Sequence, residues 1–166
     1  MTKNYFKELA EYNIWANDLV HSWFDQLSDE QWQRPLVSSF KSIAETAIHT
    51  AGAEKIWLDR LNRIENPVFL ISVFKGNKSE LIEIWKRASK GLKNFIESLD
   101  EGKLYEPMRF QRIDGKTYEL EHYQVFSHAL NHSTYHRGQI ITLLRQVGFT
   151  GMQSLDLSTY YWVAKK

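Results

Sequence analysis

The chain has no cysteine among its 166 residues, which removes disulfides, thiolate metal sites and cysteine nucleophiles together. A transition metal would have to be held by imidazole or carboxylate, and thiol chemistry would need a thiol brought from outside. An excess of one charge is also missing: 21 Lys and Arg stand against 20 Asp and Glu, a formal net charge of +1. No clustered basic face of the kind that marks a duplex-binding domain is evident, and neither an acidic tail nor a polybasic anchor occurs. Nucleic acid and membrane are therefore not expected partners. The opening residues from Met1 to Glu8 lack the apolar core of a signal peptide, and no stretch approaches a membrane span. A cytoplasmic protein is the expectation. No internal repeat or low-complexity run interrupts the sequence, and its length suits one domain over residues 1–166.

What is present is helical periodicity. Hydrophobic residues make up 43% of the chain, with six tryptophans, enough to fill a core. They fall in four long segments with recognisable stops. The first runs from Lys3 to Leu27 and carries Phe6, Leu9, Ile14, Leu19 and Trp23. Ser28 and Gln31 form a capping box that opens a short turn, closed by Pro35. Ser42 and Glu45 form another, opening a second long helix through Ile43, Ala47, Ala51, Leu58 and Leu61 that stops before Pro67. The apolar stretch from Asn66 to Gly76 reads as a buried crossover. Asn77 to Glu80 opens a third long helix through Leu81, Trp85, Leu92 and Leu99, ended by Gly102. Asp114-Gly115 between Met108–Ile113 and Lys116–Leu120 signals a short hairpin. The fourth long helix runs from about Leu120 to Gln146, with Gly148 as its cap. The tail from Phe149 reads as irregular, pinned by Tyr160, Tyr161 and Trp162. These elements predict an all-α four-helix bundle with a β-hairpin before the last helix.

Six histidines are present, and their placement is uneven. His128, His132 and His136 follow one another at i, i+4, i+8, drifting by only about 40° per step round the helix. Val125, Gln139 and Leu143 share the stripe, so part of it faces the core. Buried imidazoles need partners, and an i, i+4 pair can converge on one metal ion. His49, near the middle of the second long helix beside the small Gly52 and Ala53, is the candidate third ligand from a facing helix. The metal-free alternative has His49 bonded to Glu45 and His136 to a backbone carbonyl. His128 is too far from His136, about 12 Å between Cα atoms, and reads as a residue that lines a channel or supports a ligand. His21 and His122 read as structural. Three neutral histidines leave an open position on a divalent ion, the mark of a catalytic site. Zinc is the first expectation, with nickel, iron or manganese compatible. Glu45 and Gln139 are the nearest polar neighbours by helical position. Tyr12, Asn13 and Trp15 are candidates for the mouth of the site, Trp15 more for packing. Arg137, about 140° from His132, is expected in a structural or dimer-interface ion pair.

His128-Ala-Leu-Asn-His132-Ser-Thr-Tyr-His136-Arg-Gly-Gln139 resembles the fourth-helix motif of the DinB/YfiT-like family. Tyr12-Asn-x-Trp15-Ala-Asn17 is similar to its N-terminal signature. Ser42-Ile-Ala-Glu-x-x-x-His49, with Glu54 and Trp57, is similar to its second-helix motif. The resemblance implies an up-down-down-up four-helix bundle, often a homodimer, with a divalent metal on His49, His132 and His136. It implies no nucleic-acid binding. Relatives include metal-dependent transferases that use low-molecular-weight thiols such as bacillithiol, isomerases and hydrolases. The functional expectation is a metal-dependent enzyme acting on a small molecule, a thiol transferase or a hydrolase. The alternative is a dimeric stress protein that binds a metal or ligand without turnover.

Overall fold

The computed structural model describes residues 1–112 and 114–165. Among the described residues the protein is mostly helical, with seven α-helices and one two-stranded antiparallel sheet. Helix α1 (Lys3–Phe24) starts at Thr2, whose side chain accepts the Tyr5 N–H. Helix α2 (Asp29–Gln33) is opened by the reciprocal Ser28–Gln31 box. Helix α3 (Ile43–Leu61) starts at Ser42, whose side chain accepts the Glu45 N–H. Only half of the expected box forms there, because the Glu45 carboxylate accepts the Lys41 N–H at 3.0 Å instead.

The segment read as a buried crossover is largely open. Val68, Ile71 and Val73 are about half exposed, and only Leu70 is buried. Its short helix α4 (Leu70–Val73) lays Leu70 over Gly52, where an added Cβ would meet the Leu70 Cβ at 3.1 Å. The space expected beside His49 is thus partly taken by the chain itself. Helix α5 (Lys78–Ser98) is opened by a reciprocal box between Asn77 and Glu80. A 3-10 turn (Glu101–Tyr105) leads into β1 (Pro107–Gln111), which pairs with β2 (Thr117–Glu121). The hairpin's alternation turns Met108, Phe110 and Leu120 inward against the core; Ile113, placed at the end of its first strand by the sequence, lies outside the described residues. Helix α6 (His122–Gln146) ends before Gly148, whose φ of +82° suits a residue without a side chain. The tail is not all irregular: α7 (Leu157–Val163) brings Tyr160 against Tyr12 and Trp15. Trp162 is 66% exposed and pins nothing.

Helices α1 and α3 each pack against both α5 and α6. Two large apolar clusters result, one around Val20, Ala47, Trp85 and Ile140, the other around Phe6, Ile56, Leu92 and Phe126, with a third, smaller one of Tyr12, Ala16 and Tyr160. Along each long helix the residues between the two clusters are polar and buried: Asn13 and Asn17, Glu54, Ser89, then Ser133 and Arg137. No described helix is long and apolar enough to cross a membrane.

Candidate metal centre

His49 lies two turns into α3, and His132 and His136 sit one turn apart on the facing stretch of α6. The contact between the two helices brings the three imidazoles together. His132 Nε2 is 3.1 Å from His49 Nε2 and 3.1 Å from His136 Nε2. The three ligand atoms all lie within 4.8 Å of one another. Around a tetrahedral ion with metal–nitrogen bonds near 2.0–2.1 Å, adjacent nitrogens are about 3.3 Å apart, so the spacing fits.

The protonation states fit as well. Burial, reinforced by the neighbouring His136, pushes His49 down to about 4. Burial and the three surrounding imidazoles push His132 down to about 3. Burial also lowers His136. At neutral pH the cluster is therefore uncharged, as a set of ligands must be. His136 Nδ1 lies 2.7 Å from Gln139 Oε1, an acceptor, so Nδ1 carries the proton and Nε2 presents its lone pair inward. Gln139 in turn donates to Ser39 at 3.3 Å. Among the described residues Glu45 makes no hydrogen bond to the cluster; its carboxylate accepts the Lys41 backbone N–H. Nor, among the described residues, does His136 bond a backbone carbonyl.

Phe40, in the loop before α3, stacks on His49 at 4.3 Å between ring centroids and closes one side. No helical pattern covers this loop, so nothing in the sequence signalled it. His128 is exposed, stands edge-on to Trp57 at 5.2 Å, and lines the cavity beside the cluster without joining it. His122 bonds the Lys103 carbonyl, as a structural histidine should. His21 is buried edge-on against Trp85, and its ring nitrogens have no hydrogen-bond partner among the described residues.

A sequence model of the DinB family matches residues 1–165. The chain belongs to the DinB family. It is 24% identical over 165 residues to "Protein DinB" of Bacillus subtilis strain 168, covering 95% of this chain and 94% of that protein. A crystal structure of a DinB-like protein from Bacillus cereus ATCC 10987 superposes with a TM-score of 0.71 at 17% identity, covering 92% of this chain and 97% of the other. That likeness establishes a shared fold.

The first-helix signature of this DinB-family chain does not reach the mouth of the histidine cavity. Asn13 and Asn17 are buried, and both donate to Glu54 Oε1 at 2.9 Å. Trp85 Nε1 and the Ser133 hydroxyl donate to the same oxygen, and Ser89 donates to the other. Arg137 completes the layer. Of the two roles expected for it, structural or at a dimer interface, its burial fits the structural one: it is 1% exposed, and its guanidinium donates to Asn13 Oδ1, to Asn17 Oδ1 and to Thr134. The two asparagines thus stand between a buried cation and a buried carboxylate. Tyr12 is occupied elsewhere, donating to the Leu155 carbonyl at 2.7 Å, and Trp15 packs on Tyr160. Glu54 follows His49 on α3, while Ser133 and Arg137 directly follow His132 and His136 on α6. The layer therefore fixes the register that makes the imidazoles converge.

The cavity beside the cluster encloses about 650 Å³. It is lined by His49 and His132 together with other residues of α3 and α6, α4 and the hairpin. Arg60 stands in the wall with its guanidinium 4.7 Å from both the Trp57 and Phe110 ring centroids. Sequence reasoning passed over this residue, because a lone arginine near a helix end looks like any solvated one.

Proposed function

We propose that His49, His132 and His136 hold a divalent metal ion and that the protein is a metal-dependent enzyme acting on a small molecule. The observation that carries the reading is the convergence of three neutral imidazole nitrogens, all within 4.8 Å of one another, two of them (His49 and His132) lining a cavity. Zinc suits three imidazoles best, with nickel, iron or manganese also compatible. Such an ion supplies Lewis acidity, lowering the pKa of a thiol or water brought to it. The chain's own residues supply the rest. Gln139 holds His136 in the tautomer whose Nε2 faces inward. Phe40 shields His49 from one side. With no cysteine in the chain, a sulfur nucleophile has to come from outside as a low-molecular-weight thiol; the resemblance to thiol-using relatives makes a thiol transferase the first reading and a hydrolase the second. We read α1, α3, α5 and α6 as one up-down-down-up four-helix bundle, and the chain as a single domain, on the strength of the helix pairings and the polar layer that links all four.

The test is calorimetric titration of divalent metal into chelator-treated protein. Stoichiometric binding is expected in the wild type and in His128→Ala. It is expected to be lost in His49→Ala, His132→Ala and His136→Ala. A wild type that takes up no metal would overturn the reading. Metal-loaded protein is then expected to consume a small thiol in the presence of an electrophile; metal binding without turnover on either thiols or hydrolysable esters would leave a binding protein.

A further inference from the structure

A half-buried cation with no anionic partner is costly to keep, and Arg60 is one. Burial, with Arg112 close by, lowers its pKa. Its Nε is buried without a hydrogen-bond partner among the described residues, and one terminal nitrogen donates to the Gln111 carbonyl at 2.9 Å. Among the described residues neither Arg60 nor Arg112 forms a salt bridge. The acid that lines the same cavity, Glu119, is held at 2.9 Å by Arg109 on the outer face of the hairpin. The Trp57 and Phe110 rings, 5.0 Å apart, pack together on one side of the Arg60 guanidinium, and among the described residues the Gln111 carbonyl is the one acceptor that it meets. A guanidinium edge fits a carboxylate in two parallel hydrogen bonds.

Distance sets the shape of that ligand. Arg60 follows His49 by about three helical turns, a rise on the order of 16 Å between Cα atoms, part of which the arginine side chain spans. The wall between them is apolar, formed by Ala53, Ile56 and Trp57. The cavity volume of about 650 Å³ falls in the range of small-molecule sites.

We infer that this cavity takes an elongated organic anion, its carboxylate held by Arg60 and Arg112, its apolar middle on Trp57, and its far end at His49 and His132. The reacting end of this assignment rests on the metal-site reading above; the anion end rests on the two arginines alone. The electrophilic or hydrolysable group of the substrate would then lie at the end opposite its carboxylate.

Titration of phenylbutyrate and of its neutral amide, phenylbutyramide, into metal-free and metal-loaded protein tests this. The carboxylate is expected to bind about tenfold more tightly than the amide, the difference made by charge-assisted hydrogen bonds. Arg60→Met and Arg112→Met should each reduce that preference while metal stoichiometry stays unchanged and the unfolding midpoint does not fall. Arg112 is exposed, so its variant remains informative even if Arg60→Met perturbs the aromatic stack. Equal affinity for acid and amide, no measurable binding of the acid, or a preference that survives in the Arg60→Met/Arg112→Met double variant would overturn the inference. Preference for the acid in a protein that binds no metal would uphold the anion site and reject the metal centre, so the two failures are separable.

Discussion

Glu54 accepts hydrogen bonds from α1, α5 and α6 while standing on α3, so one carboxylate ties together all four long helices. Its charge is matched across Asn13 and Asn17 by Arg137. The amide groups are oriented by this arrangement: each accepts from the arginine and donates to the carboxylate. Removing one member of such a set leaves the other charge buried and unpaired. Arg137→Leu is therefore expected to lower unfolding stability by about 3–5 kcal/mol, measured by urea denaturation. Arg137→Lys should recover only part of that loss, since a point charge cannot serve two carbonyls and Thr134 in one plane. A cost below about 1 kcal/mol for Arg137→Leu, the size of an exposed ion pair, would show that the layer is not a keystone.

At the level of elements, most of the secondary structure was legible because its signals are local. Ser28 with Gln31 and Asn77 with Glu80 close the reciprocal boxes their spacing announces, and Gly148 ends the last long helix. The i, i+4 histidines were legible for the same reason. What was not legible depends on neighbours. The sequence leaves Arg137 between a structural and a dimer-interface ion pair because the histidine stripe marks one buried face of α6, whereas α6 also packs on α1 and buries a second. The exposed side of α4 and the fold of α7 are likewise set by what lies beneath them: Gly52 under Leu70, and Tyr12 under Tyr160. The start of α3 gives a direct check, since it carries His49 two turns later and its cap is only half of a box. Ser42→Ala is expected to cost about 1 kcal/mol and to speed hydrogen exchange at the Glu45 amide, the donor that Ser42 accepts. Unchanged exchange at Glu45 would mean that the cap does not hold this end of the helix.

For the whole molecule, the histidine cluster makes stability depend on pH in a window set by its own shifts. In the native protein His49 is pushed from 6.5 down to about 4, and His132 from 6.5 down to about 3. The unfolded chain regains ordinary imidazoles, so between these values it binds more protons than the native state. Stability then rises with pH across the window and is lost as pH falls from 6.5 toward about 4. Above the ordinary value both states are neutral at these residues and the slope vanishes. The shallow upper part of the window, above the ordinary carboxylate range, reports the imidazoles alone. Urea midpoints of metal-free protein should fall there on acidification, and the fall should be markedly smaller in His49→Gln/His132→Gln. Bound metal should add stability at neutral pH by mass action and lose that advantage on acidification, because protons compete for the same Nε2 lone pairs. If the double variant kept the full wild-type slope, the acid sensitivity would have to lie in other groups and the cluster would not be the site that fold and pH share.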